Sequence, residues 1–225
     1  MKSRLVEEAR KKPLLQVALD FVDLEEALRV ATRVVDAGAH IVEIGTPLVK
    51  TFGFLALDRI KDVSKNNLVI VDLKTVDATE LEFSAYLSKG VDGVTLLGIV
   101  DEDVVQDALN LCRRYGSALI VDMIYTPNPV DKALRLAELG VDVVAMHLGV
   151  DVQKKRGLTA RELLKEVAEV AASDVIVMVA GGIKPHEVGM FVSHGARIIV
   201  IGSAITRDPD PYKATLAALN ILKSL

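Results

Sequence analysis

Val69-Ile70-Val71-Asp72-Leu73-Lys74-Thr75-Val76-Asp77 carries an apolar strand directly into two carboxylates and an ammonium. Side chains alternate along a strand, so Asp72 and Lys74 are expected on one face and Val71 and Leu73 on the other. A run this apolar rarely places opposite charges on one side unless that side is a site or holds a satisfied ion pair. Asp77 adds a third charge just before the helix signal Ala78-Thr79-Glu80. The stretch reads as a buried strand whose carboxyl end opens into a polar space.

The same unit recurs on both sides of it. Residues 14–20 form a short apolar run ending in Asp20, and Asp23-Leu24-Glu25-Glu26 follows as an acidic helix cap. Leu24, Ala27, Leu28, Ala31, Val34 and Val35 then lie on one helical face, and Gly38 closes the helix. Strand patterns return at 41–45, 68–74, 94–98, 118–124, 143–148, 175–181 and 198–202. Helical patterns follow them to about 63, to 89, at 103–115, 130–139, 160–171, 185–193 and 212–225. Strands rich in Val and Ile, each followed by a helix, indicate a parallel sheet buried on both faces. Eight such units predict one (β/α)8 TIM barrel, residues 1–225, with an extra N-terminal helix; an open doubly wound sheet is the competing arrangement. Ala37-Gly38-Ala39-His40, Lys89-Gly90-Val91-Asp92, Leu139-Gly140-Val141-Asp142 and His194-Gly195-Ala196-Arg197 recur about every 50 residues, each before a strand, which favours the barrel.

Composition narrows the function classes. The 225 residues carry a net charge of −4 with both signs mixed along the chain, so no basic stripe points to nucleic acid. Cys112, the only cysteine, sits in the helical pattern Val104, Val105, Ala108, Leu109 and is expected to be a core thiol. No apolar run reaches the length of a membrane span, and residues 1–12 are a charged helical pattern without a signal-peptide core. The expectation is a soluble cytoplasmic protein.

In such a barrel, chemistry sits at the carboxyl ends of the strands. Asp20, Glu43, Asp72 with Lys74, Asp122 and His147 fall at or near those ends, and Asp77 adds a fifth carboxylate. That ring repels itself unless some groups are protonated or a cation is present, and oxygen ligands suit Mg²⁺. Asp20 and Asp122 could also be plain loop caps. After the seventh and eighth strands come Ala180-Gly181-Gly182 and Gly202-Ser203-Ala204, whose backbone amides suit a phosphate.

With these motifs in order, the chain resembles the orotidine 5′-monophosphate decarboxylase suprafamily. The carriers are Leu15-Gln16-Val17-Ala18-Leu19-Asp20, Glu43-Ile44-Gly45-Thr46-Pro47-Leu48, Asp72-x-Lys74-x-x-Asp77, Val121-Asp122-Met123-Ile124, His147-x-Gly149-x-Asp151-x-Gln153 and the two glycine loops. Within the suprafamily it is most similar to the 3-hexulose-6-phosphate synthases. In 3-keto-L-gulonate 6-phosphate decarboxylases an arginine usually follows the barrel histidine by three residues, where this chain has Val150, and relatives often carry arginine where it has Ser203.

The resemblance implies an aldehyde-lyase that condenses D-ribulose 5-phosphate with formaldehyde to D-arabino-hex-3-ulose 6-phosphate, or runs the reverse cleavage, through a metal-stabilised enediolate. It implies catalytic roles for Lys74, Asp72, Asp77 and His147, Mg²⁺ on Glu43 and Asp72, and substrate contacts from Asp20, Asp122, Gly181, Gly182, Gly202 and Ser203. It also implies a homodimer in which Asp77 enters the partner subunit's site. Decarboxylation through the same enediolate, a Schiff base on Lys74, and a non-catalytic sugar-phosphate barrel are the alternatives.

Overall fold

The computed structural model describes residues 3–64 and 66–225; the first two residues of the expected N-terminal helix lie outside them. Eight parallel strands close on themselves, with β8 pairing β1. They are β1 (Leu14–Leu19), β2 (Ile41–Ile44), β3 (Leu68–Thr75), β4 (Gly93–Leu97), β5 (Ala118–Asp122), β6 (Val143–His147), β7 (Ile176–Ala180) and β8 (Ile198–Ile201). The open-sheet alternative is thereby excluded. Outward-facing strand residues such as Val17, Val42, Val71 and Val144 pack under the helices, while Leu14, Ile41, Ile70, Ile120 and Ile176 fill the barrel itself.

The helix α1 (Arg4–Lys11) plugs the floor, where the strands begin. Leu5, Val6 and Ala9 join the interior cluster, because a helix with one apolar face must bury it. Gly93 leaves them room: a Cβ there would approach Ile120 Cδ1 to 2.6 Å and Leu5 Cδ2 to 3.4 Å. The last carbonyls of α1 are satisfied by Arg197, whose Nε donates to Ala9 O at 2.9 Å and Nη2 to Arg10 O at 3.0 Å.

The crossover from β1 to β2 is α2 (Leu24–Asp36), capped as expected by Asp23, which accepts from the Glu26 amide at 2.9 Å. Gly38, Gly90, Gly140 and Gly195, the repeat glycines, all have positive φ, from 70° to 96°, and turn the chain into β2, β4, β6 and β8. The expected helix after β2 is broken into α3 (Thr46–Phe52) and α4 (Phe54–Ser64), because Gly53 takes a positive φ of 52° between them. Next come α5 (Thr79–Leu87), α6 (Glu102–Tyr115) and α7 (Pro129–Glu138). Cys112 is buried in α6, and burial pushes its thiol up to about 12, so it is a core group.

Four further departures follow β6, β7 and β8. Residues 150–156, which carried no helix expectation, form α8 (Val150–Arg156), and a 3-10 turn, Ala160–Leu163, precedes α9 (Leu164–Ala171). A second 3-10 turn, Pro185–Glu187, opens α10 (Val188–Ser193). The one-turn helix α11 (Ser203–Thr206) separates β8 from the terminal α12 (Pro211–Lys223). Among the described residues no helix is long and apolar enough to cross a membrane.

Candidate active site

The alternation argument for β3 reaches the right contact by the wrong route. Val71 pairs with Val94 but Thr75 pairs with Leu96, so Asp72, Leu73 and Lys74 together face Thr95 alone. The strand bulges there, and Lys74 takes a left-handed backbone with φ 47°. Its amide no longer finds a ladder carbonyl and donates instead to Thr95 Oγ1 at 2.8 Å. Thr95 Oγ1 donates in turn to Asp72 Oδ1 at 2.7 Å.

The bulge turns the Lys74 ammonium across the mouth. Nζ donates to Asp72 Oδ2 at 2.8 Å and to Asp122 Oδ2 at 2.9 Å. Burial alone would lower this ammonium, but Asp72 and Asp122 overcome it and hold it charged well above the usual lysine range. Asp122, buried at the end of β5, would be raised by burial, yet His147 and Lys74 drive its carboxyl well below the usual range. His147 closes the cluster from β6, with Nδ1 at 3.1 and 3.0 Å from the two Asp122 oxygens. A carboxylate only accepts, so Nδ1 carries a proton toward Asp122, and Nε2 is the ring nitrogen left without a partner in the cluster. The Ile124 amide donates to Asp122 Oδ1 at 2.9 Å and locks that carboxylate.

Glu43 lies on the neighbouring inward position of β2, buried at 7% exposure. Burial first, then Asp72 and Asp20, raise its carboxyl to about 8. Asp20 follows β1 at the rim; crowding by the protein around it, then Asp72, raise it as well, against Lys74, His147 and Arg207. Gly45 makes space for it, since a Cβ there would sit 2.1 Å from Asp20 Oδ1. Asp20, Glu43 and Asp72 thus sense one another's charge at one side of the mouth.

Gly181 and Gly182 follow β7 with φ of 126° and 71°. A Cβ on Gly181 would meet Leu148 O at 2.6 Å, so the loop packs tightly on the β6 loop. Gly202 caps α11 and Ser203 opens it, beside Asp20, whose Oδ2 is 3.7 Å from where a Gly202 Cβ would be. Asp77 is different: it is exposed, beside Val76, Thr79, Val104, Asp107 and Arg114 in a cleft of about 780 Å³, and it pairs with none of Lys74, Asp122 or His147. Within one chain the third charge of the motif stands outside the cluster, because β3 ends at Thr75 and the chain turns through Ala78, φ 52°, into α5.

Four residues join this geometry that sequence reasoning did not single out. Thr46 Oγ1 donates to Asp72 Oδ2 at 2.7 Å and Thr95 to Oδ1, so with Lys74 they occupy both Asp72 oxygens. Gln16 Nε2 donates to Glu43 Oε2 at 2.8 Å, while Gln16 Oε1 is buried with no donor among the described residues, a loss of about 1–3 kcal/mol for such an atom. Arg207 brings positive charge to the rim near Asp20. A polar residue on an inward position of an otherwise apolar strand was the available signal for Gln16 and Thr95.

Among the described residues, no three Asp, Glu, His or Cys side chains stand close enough to hold a metal ion alone. The donor set still fits a hard cation completed by other oxygens. Burial first, and then neighbouring carboxylate charge, raise both Glu43 and Asp20, and Glu43 Oε1 accepts no hydrogen bond from the described residues.

Residues 13–218 match the profile described as the orotidine 5′-phosphate decarboxylase / HUMPS family. The 3-hexulose-6-phosphate synthase of Staphylococcus epidermidis is 35% identical over 200 residues, covering 89% of this chain and 94% of that protein. The crystal structure of 3-hexulose-6-phosphate synthase from Salmonella typhimurium superposes with a TM-score of 0.87 at 31% identity, covering 94% of this chain and 99% of that one. The 3-keto-L-gulonate-6-phosphate decarboxylase of Vibrio cholerae O1 biovar El Tor reaches a TM-score of 0.83 at 20% identity over 95% of this chain and 98% of that one, a likeness of fold.

Proposed function

Because the chain belongs to the orotidine 5′-phosphate decarboxylase / HUMPS family, we propose that it is a 3-hexulose-6-phosphate synthase, an aldehyde-lyase joining D-ribulose 5-phosphate to formaldehyde or running the reverse cleavage. One observation carries the reading: Asp122 ties together an ammonium, Lys74, and an imidazole, His147, at the mouth of the barrel. The reaction needs both, a base for the proton beside the ketone and a fixed positive charge for the oxygen that becomes negative.

In this reading His147 Nε2 takes a proton from C1 of ribulose 5-phosphate, and the electron pair moves into an enediolate. The Lys74 ammonium donates to the developing negative oxygen, and its two aspartate partners fix it in advance, which is where such stabilisation is most effective. C1 then attacks the formaldehyde carbon, and the proton held by His147 goes to the new alkoxide. Glu43 and Asp72 would hold Mg²⁺, which when bound supplies polarisation of two adjacent substrate oxygens. Asp20 and Asp122 orient hydroxyls, and the amides of Gly181, Gly182, Gly202 and Ser203, with Arg207 nearby, hold the phosphate and use its binding to position the reacting end. The charge on Lys74 opposes a Schiff base, which requires a neutral amine.

Asp77 belongs, in the same reading, to the mouth of a second copy. Its surroundings support this: Val76 and Leu81 are 51% and 76% exposed, an apolar margin suited to a homodimer. Mixing inactive Lys74→Ala and Asp77→Ala proteins tests it, since exchange of subunits would restore part of the activity. The primary test is formaldehyde consumption with ribulose 5-phosphate, with Mg²⁺ or with EDTA. Metal-dependent consumption, lost in Lys74→Ala and without a borohydride-trapped adduct, is the expected result. Release of CO₂ from 3-keto-L-gulonate 6-phosphate, with formaldehyde untouched, would move the assignment to the decarboxylases.

A further inference from the structure

Gln16 is the one polar side chain in β1, inside the barrel and 1% exposed, level with Ile41 of β2 and Val200 of β8. Its surroundings, Leu14, Ala18, Ile41 and Val200, are apolar and would accept a leucine or methionine without an unpaired oxygen. For the fold alone an amide is a poor choice. What it does instead is reach upward by one rung: Glu43 is level with Ala18, two residues above Gln16, and the amide meets the carboxylate from below.

The chemistry of that contact is specific. Glu43 must give up its proton to hold a cation, and an ionised carboxylate only accepts, so the amide nitrogen, not its oxygen, is the group that suits Oε2. A neutral donor fixes Oε2 without cancelling its charge, as a lysine would. Oε1 and the remaining lone pairs of Oε2 stay available toward the mouth. We propose that Gln16 is the positioning residue of the divalent-cation site, holding Glu43 in the orientation that binds the ion while leaving its negative charge intact. The inference rests on the reading of Glu43 as a cation ligand. Outer partners of metal ligands commonly control affinity in this way.

The experiment measures Mn²⁺ binding without substrate, by the loss of the free-ion electron paramagnetic resonance signal, in wild type, Gln16→Met, Gln16→Asn and Glu43→Gln. Methionine keeps the volume and removes the donor; asparagine keeps the amide and shortens its reach. Both are expected to weaken Mn²⁺ binding about 10–100-fold. Affinity for ribulose 5-phosphate in EDTA should stay within about twofold of wild type. A purely structural role would move thermal stability and leave Mn²⁺ affinity alone. If Glu43→Gln loses Mn²⁺ while both folded Gln16 variants bind within about twofold of wild type, the role of Gln16 is overturned and the metal reading stands. If wild type shows no saturable Mn²⁺ binding, or Glu43→Gln binds as wild type does, the metal reading fails and Gln16 with it.

Discussion

The floor and the mouth of the barrel are made from the two ends of the same strands and solve opposite problems. At the floor, α1 presses Leu5, Val6 and Ala9 against Leu14, Ile41 and Ile120, and the interior there is apolar. At the mouth, Asp20, Glu43, Asp72, Lys74, Asp122 and His147 crowd together, and each is held by a neighbour or raised by one. Burial stabilises the first region because nothing in it needs water. It strains the second, because charges are removed from water and only partly paired. The division places stability at one end and reactivity at the other, so changes at each end should affect different measurements.

The largest effect should come from Lys74→Met. It removes the charge that stabilises the enediolate and strands Asp72 and Asp122, so turnover is expected to fall about 10²–10³-fold, and the fold to lose about 3–5 kcal/mol. Steady-state formaldehyde consumption and urea unfolding read the two losses; a variant within tenfold of wild type would show that the charged mouth is not the reacting region.

Leu5→Ala tests the other end. A cavity in the plug should cost about 2–5 kcal/mol in urea unfolding, with turnover of the folded protein unchanged. Loss of turnover in fully folded protein would mean that floor and mouth are coupled. Thr95→Val is intermediate: it leaves the Lys74 amide without an acceptor and Asp72 without one donor, for about 1–3 kcal/mol and a smaller loss of rate than at Lys74.

Two further effects are slopes of stability against pH, and they have opposite signs at the two ends. His40, at the floor, accepts from the Leu15 amide at 3.0 Å; burial, then Lys12 and Lys223, lower it from 6.5 to about 4. As pH falls through that window the unfolded chain binds a proton that the folded one refuses, so stability falls with acid. Glu43, at the mouth, is raised from 4.5 to about 8. Between those values the folded metal-free protein keeps a proton that the unfolded chain has lost, so stability falls as pH rises and levels off above about 8. Urea titrations in EDTA should lose the acid slope in His40→Asn and the alkaline slope in Glu43→Gln.

The floor was largely legible from sequence, the mouth only in outline. Strand periodicity and the glycines at 38, 90, 140 and 195 point to eight units, and the structure puts each of those glycines in the left-handed turn before an even-numbered strand. Such signals are local, and the backbone obeys them. The mouth depends on where chains meet. Nothing in Thr95 announces that it substitutes for a ladder carbonyl, because that role exists only once β3 bulges against β4. Gln16 and Thr46 acquire their partners from β2 and β3. The split at Gly53 and the helix at 150–156 are not legible in the sequence, because a glycine within an apolar pattern, or a short polar segment, does not by itself declare a break or a turn of helix.

The bulge in β3 makes the spacing between Asp72 and Lys74 a ruler of fixed length. Three residues of that strand answer one residue of its neighbour, so the carboxyl end of β3 carries extra contour that nothing else in the barrel takes up. Deleting Leu73 would exchange the faces of everything beyond it, and deleting two residues would restore a regular pleat while withdrawing the ammonium from Asp122. Loops elsewhere on the barrel can lengthen or shorten through inheritance; this segment can change its letters, but its count of residues is tied to the lysine's reach.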